Sequence, residues 1–183
     1  MIRGLDGVLG GQFLVRTGKI SGRTNVSAKM DCVTSREDSP AQEAQKQAFQ
    51  EASAYADANR ENPIYIAKAK GKKDKKRQPY NVAMADWFHQ PQVLEIDLKG
   101  WRGAIGEVIR VLAADDVRVA QVRIEISDET GAIIEAGEAT KNYIQWWEYP
   151  VQGAMRGECT VTALASDLPG HVTKGSASKR LPG

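Results

Sequence analysis

Three aspartates, Asp115, Asp116 and Asp167, lie in turn-like stretches and offer the hard oxygen donors that calcium prefers. If the fold brings the turn at 115–116 and the turn at 166–170 to one end, their carboxylates would form a cation site. The plainer alternative is that each caps its own turn by accepting backbone N–H bonds. A second chemistry belongs to residues 68–77 (KAKGKKDKKR), where Lys68, Lys70, Lys72, Lys73, Lys75, Lys76 and Arg77 stand against a single acid, Asp74. Such a run can neutralise nucleic-acid phosphates and release their counterions. It has no interleaved aromatics for base stacking and no helix-turn-helix or RNA-module signature around it, so a solvated linker is the simpler alternative. The third group is aromatic: Trp101, Trp146, Trp147 and Tyr149, whose faces would stack on sugar rings if they were exposed. Trp146 and Trp147 are adjacent, so on a strand they point to opposite faces, one into a core and the other outward or onto a domain contact. Packing against the N-terminal helices is the plainer role for these rings.

Covalent and metal catalysis find little to work with. His89 and His171 are the only histidines, and no G-x-S-x-G elbow supplies a nucleophile. Cys32, His89, Cys159 and His171 are too scattered for a zinc site, and no glycine loop followed by lysine and serine or threonine cradles a phosphate. Cys159 falls in phase with Val161, Ala163 and Ala165, which reads as a buried, inert thiol, and the distance to Cys32 argues against a disulfide framework. The expectation is a non-catalytic protein without a cofactor, calcium at the three aspartates being the one candidate.

The chain has 183 residues, 42% hydrophobic and 26% charged, as is ordinary for a globular protein. Its net charge of +2 is uneven: residues 68–77 carry +6, leaving the rest near −4. No stretch reaches the ~18 apolar residues that span a bilayer. Arg3, Asp6 and Arg16 interrupt any secretory apolar core, so an intracellular or already processed protein is expected, the former favoured.

The elements that must position these groups change character along the chain. Residues 1–38 are glycine-rich; Phe13, Leu14, Val15 and Ile20 fit a weak hairpin about the turn at Thr17-Gly18 and fit a disordered arm equally well. Ser39, Pro40 and Gln42 form a helix-start signature, with a capping box and a first-turn proline. Behind it Ala41, Ala44, Ala48, Phe49, Ala52, Tyr55 and Ala56 recur at helical spacing. An alanine stripe buries little area, which suits a helix lying on another helix or on a partner. Asn62-Pro63 ends this helix. Residues 64–67 predict a short second helix, and residues 80–88 one or two further turns, up to Pro91.

Past Pro91 the period becomes two. Leu94, Ile96 and Leu98 alternate with Glu95 and Asp97; Ile109, Val111 and Ala113 form the next face; Val122, Ile124 and Ile126 form the cleanest. Ile134 and Ala136, the aromatic strand at 146–149, and Cys159 through Ala165 follow, separated by turn formers. Short strands with turns every ~8–12 residues and no helix between them point to an antiparallel sandwich or barrel. Val117 and Val119 are out of phase with Val122, which calls for a bulge or bend at that strand's entry.

These residues also carry a resemblance. Ala113, Asp115, Asp116, Val119, Val122, Ile124 and Ile126, the W-x-Y of Trp147 and Tyr149, and the T-A-L-A-S-D-L-P-G ending at Gly170 resemble bacterial immunoglobulin-like modules. His171 departs from the asparagine usual at that last turn. Tyr80-Asn81-Val82-Ala83 with Asp86 is similar to bacterial proteins that pair a helical segment with such a module. The resemblance spans about 85 residues. It implies an immunoglobulin-like antiparallel β-sandwich over 92–183 behind a helical and irregular region at 1–91. It leaves the role open among adhesion, spacing, carbohydrate binding and phage particles. Mainly β with a helical N-terminal region is therefore the expected fold class. The expected role is a structural or protein-interaction module with a protein partner or self-association and no membrane. The alternatives are nucleic-acid association through 68–77 and carbohydrate binding through the tryptophans.

Overall fold

The computed structural model describes residues 7–9, 13–17, 24–28, 38–70, 78–142 and 145–182. The chain divides into two compact units, residues 1–43 and 44–183. In the first, β1 (Gly7–Leu9), β2 (Phe13–Thr17) and β3 (Thr24–Ala28) make an antiparallel sheet in the order β1-β2-β3, with Leu9 opposite Phe13 and Thr17 opposite Thr24. The apolar run at 13–15 supplies its central strand. Cys32 and Ile20 lie outside the described residues.

Helix α1 (Pro40–Ala58) begins as its sequence dictates. Ser39 Oγ accepts the Gln42 N–H at 3.3 Å while Gln42 Oε1 accepts the Ser39 N–H at 2.9 Å, the reciprocal pair of a capping box. Asn62 then does more than stop a helix. Its Oδ1 accepts the Ile64 N–H at 3.0 Å and so caps α2 (Pro63–Lys70), with Pro63 as the first helical residue. The third helix, α3 (Pro79–Phe88), runs ten residues, longer than the one or two turns its apolar residues indicated. Ala56, Tyr65, Ala69, Val82 and Ala83 form a small core among these helices. Val117 and Leu168, from two sandwich loops, pack against it, which places residues 44–91 and the sandwich in one unit. No helix among the described residues is long and apolar enough to cross a membrane.

The sandwich comprises β4 (Gln92–Asp97), β5 (Val108–Ala114), β6 (Gln121–Ser127), β7 (Ile133–Glu138), β8 (Thr140–Lys141), β9 (Trp146–Pro150), β10 (Gly157–Ser166) and β11 (Val172–Leu181). They pair antiparallel in two sheets, ordered β4-β5-β9-β8 and β11-β10-β6-β7. The protein is thus mainly β, with two four-stranded sheets behind three helices. Ile109, Val111, Val122, Ile124, Ile126, Val161, Ala163 and Ala165 meet in the shared interior, with Trp101 and Tyr149 among the largest side chains there.

Three strands depart from the simple alternation. In β4 a register shift lies between Val93 and Glu95, so Val93 and Ile96 pack on the core while Leu94, at the irregularity, is 56% exposed. In β7 the inward face is Glu135 and Gly137, and Ile134 and Ala136 point out. The cause is Tyr149, whose ring fills the space over Gly137: a Cβ there would lie 2.6 Å from Tyr149 Cε2. Glu135 completes the arrangement, accepting the Tyr149 hydroxyl and the Gln152 N–H, both at 2.8 Å, on Oε1 and the Gly153 N–H at 2.8 Å on Oε2. Glu135→Ala would leave three donors without this acceptor. It is expected to lower stability by about 1–3 kcal/mol in urea unfolding, with Tyr149→Phe costing less. The third strand, β11, carries no apolar stripe to announce it. Its inward residues are Thr173, Gly175, Ala177, Lys179 and Leu181, and Gly175 is small because Val93 Cγ1 would stand 2.7 Å from a Cβ. Its outward hydroxyls pair with β10, Ser178 with Thr160 at 2.9 Å and Ser176 with Thr162 at 3.1 Å.

The expected bend before β6 is present. Val119 enters the sandwich core and Val117 turns to the helices. That slip of phase joins the two cores.

Candidate functional site at the helix–sandwich junction

On α3, Asp86 follows Val82 and Ala83 by four and three residues, so helical spacing puts its carboxylate on the buried face. It is 1% exposed. Tyr65 of α2 donates its hydroxyl to Asp86 Oδ2 at 2.6 Å. With that proton committed, Tyr55 of α1 donates to the Tyr65 oxygen, also at 2.6 Å. Asp86 Oδ1 has no hydrogen-bond partner among the described residues. Burial pushes the Asp86 carboxyl up to about 6, against the pull of the Tyr65 hydroxyl and with help from the charges of Asp115, Asp167 and Asp116. Burial likewise raises the Tyr65 phenol far above its ordinary value, reinforced by its bond to Asp86, and raises the Tyr55 phenol.

The loops facing this chain of hydroxyls are the two that hold the sequence-predicted aspartates. Asp115 Oδ2 accepts the N–H groups of Val117 and Arg118 at 3.0 and 2.7 Å. Asp167, itself buried, accepts Gly170 and His171 N–H on Oδ1, each at 2.7 Å, and holds His171 Nδ1 with Oδ2 at 2.8 Å. The Trp87 ring lies between the parts, 5.2 Å from Tyr55 and edge-on to His171 at 5.5 Å. His89 Nδ1 stands 2.6 Å from the Ala85 carbonyl and 3.4 Å from Asp116 Oδ2. Outside it, Phe88, His89, Pro91, Asp115, Asp116 and Thr173 line an open groove of about 510 Å³.

No family model matches the chain, and no curated protein matches it. Among solved structures, CopC from Methylosinus trichosporium OB3b is similar with a TM-score of 0.40 and 16% identity, over 50% of this chain and 93% of that one. An engineered protein is similar with a TM-score of 0.39 and 22% identity, over 49% of this chain and 19% of its own length. Likeness at this level carries no argument about what the chain binds or does.

The junction places the sequence-predicted residues as follows. Both aspartate turns do come to one end of the sandwich, facing α3. Their own turns engage Asp115 Oδ2 and both oxygens of Asp167, however, while Asp115 Oδ1 is buried without a partner among the described residues; no three carboxylate, histidine or cysteine side chains among those residues gather as a cation site would need. Lys68 and Lys70 close α2, whereas Lys72, Lys73, Lys75, Lys76 and Arg77 lie outside the described residues. Trp101, Trp147 and Tyr149 are buried in the sandwich core, which removes three of the four rings from any sugar surface. They pack within the sandwich and not on the N-terminal helices, because β9 turns Trp147 and Tyr149 to the inner face and leaves Trp146 half-buried on the other. Cys159 is buried and outside any disulfide, and desolvation raises its thiol. The sequence reading missed Tyr55, Tyr65, Asp86 and Trp87 as a group. An aspartate spaced helically from Val82 and Ala83 within an apolar segment was the available signal.

Proposed function

We propose that this protein is a non-catalytic interaction module, an immunoglobulin-like sandwich capped by helices, that docks on a helical surface of another protein chain through α1. The observation that carries the reading is the fate of one alanine stripe. Ala44, Ala48, Ala52 and Ala56 follow one another at four-residue intervals along α1; Ala52 and Ala56 are buried, Ala48 is half-buried and Ala44 is exposed. Beside the bare end stands Phe49, 56% exposed. Small side chains let a second helix approach closely, and an aromatic next to them is a ready anchor.

Support for the immunoglobulin-like part comes from strand order. With β4 to β11 read as A, B, C, C′, D, E, F and G, the sheets run A-B-E-D and G-F-C-C′.

The test is a doubly substituted chain, Ala44→Glu with Ala48→Glu, compared with the parent by sedimentation velocity and by pull-down from host extract. Two added carboxylates on the stripe are expected to weaken association by about tenfold or more, seen as loss of a dimer or of a specific co-purifying protein. Identical sedimentation and identical recovered proteins would remove α1 as the docking element. Salt-steep retention of DNA by both chains would favour the basic run at 68–77 in its place.

A further inference from the structure

We infer that Asp86 is a proton-operated latch, closing α3 onto the end of the sandwich when its carboxyl is neutral and loosening that contact when it is charged. Geometry isolates this carboxylate. At 1% exposure it has, among the described residues, a single donor, Tyr65, on one oxygen and nothing on the other. A charged carboxylate needs more donors than that to replace the water it has lost.

The titratable groups facing it do not supply them. Tyr55 of α1 reaches it only through Tyr65 of α2. From the sandwich, Asp115, Asp116 and Asp167 present further negative charge. His171, beside Trp87, is turned to Asp167, and His89, at the end of α3, to Asp116. Among the described residues, the charges named as acting on Asp86 are all carboxylates. Asp115, Asp116 and Asp167 each disfavour a charge on Asp86, and taking up a proton there removes a charge that is buried and, among the described residues, short of donors. Among the described residues, Val117 and Leu168 of the sandwich loops pack on the helical core, Trp87 lies against His171, and His89 stands beside Asp116. A change of charge on Asp86 acts at this junction.

The sign follows from linkage. A carboxyl whose closed-state value is about 6 and whose open-state value is the ordinary one binds its proton more tightly when closed. Closure is then favoured at acidic pH, and the advantage is lost as pH rises through 6. The expected result is that opening of α3 becomes about tenfold more favourable between pH 5 and pH 7.5.

Hydrogen exchange by mass spectrometry on the full chain, corrected for the intrinsic pH dependence of exchange, measures this directly. Amides of 79–88 should lose protection about tenfold over that range while those of β6 and β10 do not. Asp86→Asn should abolish the change, and His89→Gln with His171→Gln should retain it. The reverse pattern, dependence kept in Asp86→Asn and lost in the histidine variant, would overturn the latch and assign the effect to imidazole. Should Asp86→Asn fail to fold, Tyr65→Phe decides the matter. It removes the one donor that holds the carboxyl down, so the loss of protection must move to higher pH, and an unmoved midpoint refutes the inference.

Discussion

Trp101→Ala is expected to lower the unfolding free energy by about 3–5 kcal/mol, the largest loss foreseen for any truncation in this protein. The indole is fully buried. Its Nε1 has no hydrogen-bond partner among the described residues, so the expected loss is one of packing and cavity formation. The backbone around it is held independently. Lys179 of β11 extends its ammonium to the carbonyls of Leu98 and Trp101, and the Trp101 N–H bonds back to the Leu98 carbonyl at 3.1 Å. The loop therefore cannot collapse readily into the space left behind, which places the expected cost in the upper part of the range. Urea unfolding measures it. A change under about 1 kcal/mol would mean that the ring does not fill the core.

Gly103→Ala is expected to cost about 3 kcal/mol or more, although it adds one methyl group. Gly103 has φ of +99°, in the left-handed region, and a Cβ would lie 2.3 Å from the Met155 carbonyl oxygen. That oxygen is backbone and is tied down, because the Met155 N–H bonds to the Gly103 carbonyl at 2.9 Å. Gly106 separates the two causes: its φ is +84° but a Cβ would meet nothing within 4 Å. Gly106→Ala should therefore cost about 1–2 kcal/mol, the conformational part alone. Equal melting temperatures for the two variants would show that the clash contributes nothing.

The fold was legible where local pattern and burial agree. The capping box at Ser39 and Gln42, the face of Val122, Ile124 and Ile126, and the phase of Cys159 with Val161 needed no knowledge of the rest of the chain. It was illegible where a distant residue set the local choice. Glu135 and Gly137 face inward because Tyr149, on another strand, needs room for its ring and an acceptor for its hydroxyl. Gly175 and Lys179 give β11 no apolar stripe because Val93 and the loop at 98–101 occupy what larger side chains would fill. Leu94 falls on the outer face because the irregularity between Val93 and Glu95 shifts the period by one, which no strict alternation can reveal.

The candidate site divides in the same way. That aspartates at 115 and 167 would accept turn N–H groups follows from residue type and spacing, since an Asx turn is a local event. That the two turns come to the same end of the sandwich and press on Asp86 depends on strand order, which places β5–β6 and β10–β11 connections side by side. By itself the sequence determined the helix starts, most strand faces and the position of the change from helix to strand, because each rests on contacts within a few residues. Only the tertiary structure decided which aromatics are buried, which alanines are bare, and that the Asp86 carboxylate is shut away with, among the described residues, a single donor. Each of these depends on what arrives from far along the chain to cover it.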